Sequence, residues 1–275
     1  MTAILPSESR PLHHWAFLLL ILLTIVAYYP GLSGDYMFDD TSNLLQNQAL
    51  DMESLDMDSL TDAAWSSGAG LLRRPVSMAS FALNRFFFGI DPLSHKVVNL
   101  VIHVLTGCLL YLFSHLLLAA YQQHRQPRLS VQAARWIPVI VCGMWLVHPL
   151  NLTSVLYIVQ RMTSLATLFM VAGLCLYVVG RMQMLRGRSG LSIILVGLFC
   201  LGGLAILSKE NGILLPLYML VIEFTVFRFQ GANQNPDKSI ITLFTLILAI
   251  PALFALLYLV THTDSMLNYS HRDFT

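Results

Sequence analysis

The sequence predicts an all-α membrane protein, a polytopic bundle of about seven transmembrane helices with a long, partly helical first outer loop. Three observations carry this expectation. Apolar residues make up 56% of the 275 and charged residues 11%, and the mean hydropathy is +0.67, outside the range of soluble domains. Apolar runs recur along the chain, and crossing about 30 Å of hydrocarbon takes roughly 20 helical residues. Lys and Arg gather in alternate loops, as cations retained on the cytoplasmic side do.

The first run lies near 14–31 and ends in AYYPGLSGDY. That end lacks a small-x-small cleavage pattern, so the run reads as a retained helix and not as a signal peptide. Further runs lie near 97–120, 136–149, 162–180, 191–207, 212–227 and 239–261. Arg10 precedes the first helix; Arg125, Arg128 and Arg135 lie between the second and third; Arg181, Arg186 and Arg188 between the fourth and fifth; Arg228 and Lys238 between the sixth and seventh. By the positive-inside rule the amino terminus is expected in the cytoplasm, with loops 32–95, 150–161, 208–211 and 262–275 outside.

The net charge of +1 and the lack of a dense basic block exclude nucleic acid as a partner. The four cysteines, Cys108, Cys142, Cys175 and Cys200, sit inside apolar runs without CxxC spacing. They are expected to act as small buried hydrophobes, with neither a disulfide framework nor a zinc site.

The 32–95 loop is too long for a turn and is expected to fold. Its stretch DMESLDMDSLTDAAW carries Leu55, Leu60 and Trp65 at helical spacing, which suits short helices on the membrane surface, although the solvated acidic face is the preferred reading. Tyr28, Tyr29, Tyr36 and Trp65 are expected at headgroup depth.

Candidate site residues collect on the outer side. Asp39 and Asp40 follow the first span directly, and Arg73 and Arg74 share their loop. On the second helix His95, Asn99 and His103 recur at i, i+4 and i+8, one polar stripe on an apolar rod. Two readings of the stripe stand: interhelical hydrogen bonds, or ligand contacts. A metal would need a carboxylate that the stripe lacks, so no metal ligands are assigned, although a divalent cation remains open as a cofactor. His148 precedes Pro149, Gln160 and Arg161 open the fourth helix, and Lys209 and Glu210 interrupt the run between the fifth and sixth. Lys209 alone could simply snorkel to the headgroups. Together these groups suit a reaction between a lipid-borne donor and an acceptor outside the cytoplasm.

The strings FDDTSNL (38–44), RRPVSMASFALNRFFFGIDPLSHKVVNLVIH (73–103), HPLNLTSVLYIVQRMTSLATLF (148–169), LSKENGILLP (207–216) and NYSHRDFT (268–275) resemble the membrane part of the transmembrane and tetratricopeptide-repeat O-mannosyltransferase-like proteins, their bacterial relatives in particular. The wider resemblance is to GT-C glycosyltransferases, and it covers nearly the whole chain as a single module, 1–275. It implies transfer of a sugar, a hexose such as mannose, from a polyprenyl-phosphate carrier to a protein Ser or Thr hydroxyl, with inversion. Asp39 or Asp40 would then be the general base and the other would position it. Arg73, Arg74, Arg161 and Lys209 would steady the leaving phosphate, and His95, Asn99, His103, His148, Gln160 and Glu210 would line the donor site. The resemblance also implies a multi-pass protein of a bacterial inner membrane.

The chain departs from that pattern in two places. HPLNLTSV offers Ser154 and the earlier Asn151 where relatives carry an acid or amide after His-Pro, and the sequence stops at Thr275 with no tetratricopeptide repeat. A partner subunit supplying the C-terminal part is therefore one expectation. The rival function is a non-catalytic membrane subunit that binds the lipid-linked sugar, with a transporter a distant third because the charges sit at one face. The sequons at Asn151 and Asn268 are expected to go unused.

Overall fold

The computed structural model describes residues 12–125, 129–232 and 234–261. Arg10, Arg128, Arg272, the Asn268 sequon and the NYSHRDFT string lie outside the described residues. Among those residues the architecture is wholly helical, with one isolated β-bridge between Gln230 and Pro236. The principal helices are α1 (Leu12–Tyr28), α2 (Met57–Ala64), α3 (Pro75–Phe88), α4 (Pro92–Arg125), α5 (Val131–Leu146), α6 (Leu152–Leu156) and α7 (Arg161–Leu185). They are followed by α8 (Leu191–Ser208), α9 (Glu210–Phe227) and α10 (Lys238–Phe254).

Every expected apolar run is helical. Among the described residues five helices are long and apolar enough to cross a membrane: Leu12–Gly31, Pro92–Gln123, Ile158–Leu185, Leu191–Ser208 and Glu210–Phe227. A sixth span forms if Val131–Leu146 and Pro149–Leu156, bent by 51°, count together, and Lys238–Phe254 is a shorter apolar helix. The protein is a multi-pass membrane protein. The bend has a local cause: Pro149 forces the residue before it out of the helical region, and His148 accordingly sits at φ −67°, ψ 129°.

Lipid tails are as apolar as leucine, so close contact and buried polar bonds must hold such a bundle together. The long helices α4 and α7 form its centre, with α5 against α4 and α8 against α7. Where α7 meets α8 the backbones nearly touch: a Cβ on Gly190 would lie 2.0 Å from the Gly180 carbonyl oxygen. Tyr177, Ile194, Leu215, Met219 and Phe227 fill one end of the core. The other end, under the first loop, is filled by Leu50, Met78, Phe81, Ile158 and Met162.

Between α8 and α9 the chain turns through Lys209, whose extended backbone (φ −161°, ψ 149°) ends the helix. Gly212 lets this turn fold back on α8, since a Cβ there would lie 2.4 Å from the backbone of Ala205 and Ile206. Gly212→Ala must displace main chain, and a core overpacked in this way loses about 1–3 kcal/mol. The expected result is a lower Tm in detergent, with the Lys209–Glu210 turn the first segment to lose hydrogen-exchange protection.

The first loop folds around α2 and α3. Asp56 caps α2, accepting from Ser59 N at 2.8 Å, and Pro75 opens α3 at its first turn, where its missing N–H costs nothing. Ala63 buries against α3 and Leu60 is half-buried, while Leu55 and Trp65 remain 54% and 48% exposed; Leu55 precedes the cap and Trp65 ends the helix, so the three do not form one stripe on α2. Two further expectations are corrected. Tyr28 is buried inside the bundle, edge-on to His103 at 5.4 Å, and is not a headgroup anchor. Arg181 is no loop cation: it lies inside α7, fully buried, paired with Glu223 and Asp237 and 5.2 Å from the centre of the Phe227 ring. All four thiols are free, but Cys200 is exposed on α8 instead of buried.

Candidate functional site

The two neighbouring acids have different surroundings. Phe38 carries φ 45°, a strained value for an aromatic residue, and the chain then enters a helical turn at Asp39. Asp40 is fully buried; its Oδ1 accepts from Val159 N at 2.7 Å and its Oδ2 from Met37 N at 3.0 Å. Burial pushes its carboxyl above the usual carboxylate range, against the pull of those backbone donors and of the Lys96 charge. Asp39 is exposed, and its backbone N–H donates to the Tyr157 hydroxyl at 3.1 Å. Both oxygens of Asp40 are thus committed to the fold, and the carboxylate that faces outward is Asp39's.

The segment 157–163, a 3-10 turn that runs into α7, ties the candidate groups together. Tyr157 meets Asp39 and Val159 meets Asp40. Thr163 Oγ1 donates to Gln160 Oε1 at 2.8 Å and accepts from Lys209 Nζ at 2.7 Å. Met162 Sδ accepts from Arg74 Nη1 at 3.4 Å. Burial, with the Asp39 and Asp40 charges adding to it, raises the Tyr157 phenol, which therefore stays a neutral hydroxyl.

Arg161, in the middle of that segment, is fully buried. Its Nε donates to Asn99 Oδ1 (2.7 Å), its Nη1 to the Ser80 carbonyl (3.1 Å), and its Nη2 to Asn84 Oδ1 (2.7 Å) and the His95 carbonyl (2.9 Å). The guanidinium carbon lies 4.5 Å from the Phe81 ring centre. Four of its five N–H donors are thus spent on neutral acceptors of α3 and α4, so this cation knots three helices and offers no open face to a phosphate. Asn99 completes the knot by donating to the carbonyls of Val155 and Ile158 at 3.2 Å each.

Two of the other cations stand together. Arg74 Nη2 lies 3.0 Å from Glu210 Oε2, and its Nε is 3.1 Å from both carboxylate oxygens. Arg73 and Arg74 both take positive φ, 56° and 50°; Pro75 keeps Arg74 out of the helical region, and the strain of the pair, about 1–3 kcal/mol per residue, is of a kind that clusters at functional sites. Burial, then the Arg74 charge, lowers the Lys209 ammonium from its ordinary value, with Glu210 opposing. Arg74, Lys209 and Glu210 together leave one positive charge, which suits an anion. Because Arg74 and Glu210 are partly exposed, at 19% and 38%, their pairing is worth under about 1 kcal/mol. Glu210→Gln is therefore expected to shift Tm only slightly, and a large drop in a thermal melt would contradict that weighting. Arg73 is exposed and donates to the Trp65 carbonyl at 3.4 Å.

The candidate histidines His95, His103 and His148 do not converge. His95 is buried between Phe81 and Tyr36, with Nδ1 2.9 Å from the Asp91 carbonyl oxygen. His103 bonds the Leu146 carbonyl at 2.9 Å and stacks on Trp145; it lines a polar cavity of about 150 Å³ together with Asn151, Ser154 and Thr163. His148 is exposed and accepts from Leu150 N at 3.2 Å, a turn cap. Among the described residues no cluster of three His, Cys, Asp or Glu could hold a metal ion.

Sequence reasoning missed Tyr157, Thr163, Lys96 and the Arg85–Asp51 pair. Lys96 is buried and donates to the Asp35 carbonyl at 3.3 Å. Arg85 pins the first loop through Asp51 and the Leu44 carbonyl. A buried cation on an otherwise apolar helix is a signal in itself, and Lys96 gave that signal.

No family model matches the chain, and no solved structure matches it. The protein O-mannosyl-transferase TMTC4 of Homo sapiens is 27% identical over 258 residues, 86% of this chain and 34% of the relative. A protein O-mannosyl-transferase of Caenorhabditis elegans is 26% identical over 221 residues, 78% of this chain and 29% of the relative. The protein O-mannosyl-transferase TMTC2 of Homo sapiens is 27% identical over 212 residues, 74% and 23% respectively. In sequence this membrane chain is thus similar to proteins named TMTC O-mannosyl-transferases, and it spans about a third or less of their length.

Proposed function

We propose that the chain is the membrane module of a glycosyltransferase that moves a hexose, mannose by similarity, from a polyprenyl-phosphate carrier to a protein Ser or Thr hydroxyl. The observation that carries this reading is that one outward acid, Asp39, and a cation group at Arg74 and Lys209 are both held by the single segment 157–163. Asp39 accepts the acceptor's hydroxyl proton as the oxygen attacks the anomeric carbon. The bond from that carbon to the carrier phosphate breaks, and the phosphate leaves with its charge met by Arg74 and Lys209. One displacement with one base inverts the anomeric centre, whereas retention needs a second carboxylate as nucleophile. Asp40, with both oxygens bonded to backbone, positions the Asp39 turn. Arg161 and Asn99 hold the framework, and Glu210 aims Arg74. The inner membrane of a bacterium is the setting we infer, with Asp39 on its outer side and further chain or a partner subunit completing acceptor recognition.

The test is transfer by the purified full-length protein in proteoliposomes, using polyprenyl-phosphate mannose and a Ser/Thr peptide. Arg74→Gln and Lys209→Gln are each expected to lower kcat by about 100-fold, the effect of removing one group that stabilises developing charge. A wild-type protein that binds the donor lipid tightly yet transfers nothing would replace this reading with the lipid-sugar binder.

A further inference from the structure

At the end of the bundle opposite Asp39, three histidines and an arginine collect without an acid. His13 and His14 lie ring to ring at 4.1 Å, Tyr111 Oη is 3.2 Å from His14 Nδ1, and Tyr111 meets His115 edge-on at 4.5 Å. Among the described residues no carboxylate pairs with His13, His14, His115 or Arg135. Beside them a cleft of about 320 Å³ opens between the second half of α4 and the start of α5. Its polar wall is His115, Gln122 and Arg135, and its apolar wall includes Leu118, Leu129 and Ala134. His115 Nε2 is buried and, among the described residues, has no hydrogen-bond partner; a buried polar atom left unpaired is a cost that a bound group removes once the imidazole, which lines the cleft, turns toward it.

We propose that this cleft binds the headgroup of an anionic glycerophospholipid from the leaflet at that end of the bundle. The phosphate is met by Arg135, by the His115 imidazole and by the Gln122 amide, and the acyl chains lie along the leucines. Two observations favour a lipid over a free phosphate. One whole wall of the cleft is apolar, and the cleft lies between the spanning helix α4 and the apolar helix α5. A basic pocket between spans is a recurring way of holding an anionic headgroup. The inference does not depend on the transferase reading.

The experiment is native mass spectrometry of the purified, delipidated full-length chain, titrated in turn with phosphatidylglycerol, phosphatidylcholine and inorganic phosphate. Phosphatidylglycerol is expected to bind about tenfold more tightly than phosphatidylcholine, as one charge-assisted hydrogen bond allows. Arg135→Gln should erase the difference and Arg135→Lys should restore part of it; Arg135 is exposed, so an unchanged Tm in phosphatidylcholine nanodiscs confirms the fold. His115→Ala should weaken phosphatidylglycerol alone. Equal affinity for the two lipids, or a preference that survives Arg135→Gln, overturns the site. Inorganic phosphate that binds as tightly as the lipid and displaces it overturns the lipid assignment.

Discussion

Asp39→Asn is expected to abolish sugar transfer while leaving the protein folded at the wild-type Tm. The side chain is exposed; the backbone N–H contact to Tyr157 survives the substitution, and the amide oxygen of Asn can still accept from the Tyr157 hydroxyl that the carboxylate meets. An amide cannot accept the hydroxyl proton, and loss of a general base lowers turnover by about 10²–10⁴-fold. The neighbouring change behaves in the opposite way. In Asp40→Asn the amide nitrogen replaces one of two oxygens that accept from Val159 and Met37. One buried N–H is left facing a donor, at a cost of about 1–3 kcal/mol. Asp40→Asn should therefore lower Tm and lose activity only in step with folded protein. Thermal melts of both variants, set beside turnover per folded molecule, check the contrast; equal behaviour of the two would refute the division of labour.

The largest expected effect on stability is at Arg161. Arg161→Met leaves the carbonyls of Ser80 and His95 and the amide oxygens of Asn84 and Asn99 without their donor, all in the centre of the fold. Breaking a buried charged network from one side costs about 3–5 kcal/mol, a large share of the stability of most proteins. Arg161→Lys should recover only a fraction, because one ammonium cannot span acceptors arranged for a planar fork. The readout is the yield of monodisperse protein in detergent together with Tm. A stable, monodisperse Arg161→Met protein would mean that the α3–α4–α7 knot is dispensable and that the cation is free for substrate after all.

The helical, polytopic nature of the chain was legible from composition and from the length of its apolar runs, since a lipid environment leaves the backbone few alternatives. The 51° break after Leu146 was not read: the third run was carried to 149 and a loop placed at 150–161, where the chain resumes as a helix after the His148-Pro149 pair. What could not be read was which polar residues face a ligand and which face each other. His95, Asn99 and His103 do share one helical face, as their spacing requires, but Asn99 and His103 find carbonyls of neighbouring segments, and His95 bonds the Asp91 carbonyl at the start of its own helix. Arg161 and Lys209 look alike in sequence, and only packing reveals that one is encased by α3 and α4 while the other reaches a threonine at a half-buried turn. The same holds for Arg181, whose partner Glu223 is 42 residues away. Tyr157 was invisible because nothing in YIVQR marks a tyrosine as the neighbour of an acid 118 residues earlier.

The central claim is tested most directly by glycopeptide mass spectrometry of envelope proteins from the source cell, in a strain lacking the gene and complemented with the wild-type protein or with Asp39→Asn at matched expression. The account predicts a hexose mass on Ser or Thr that returns with the wild type and stays absent with Asp39→Asn. A modification that returns equally with Asp39→Asn, or one that never depends on the gene, would contradict it.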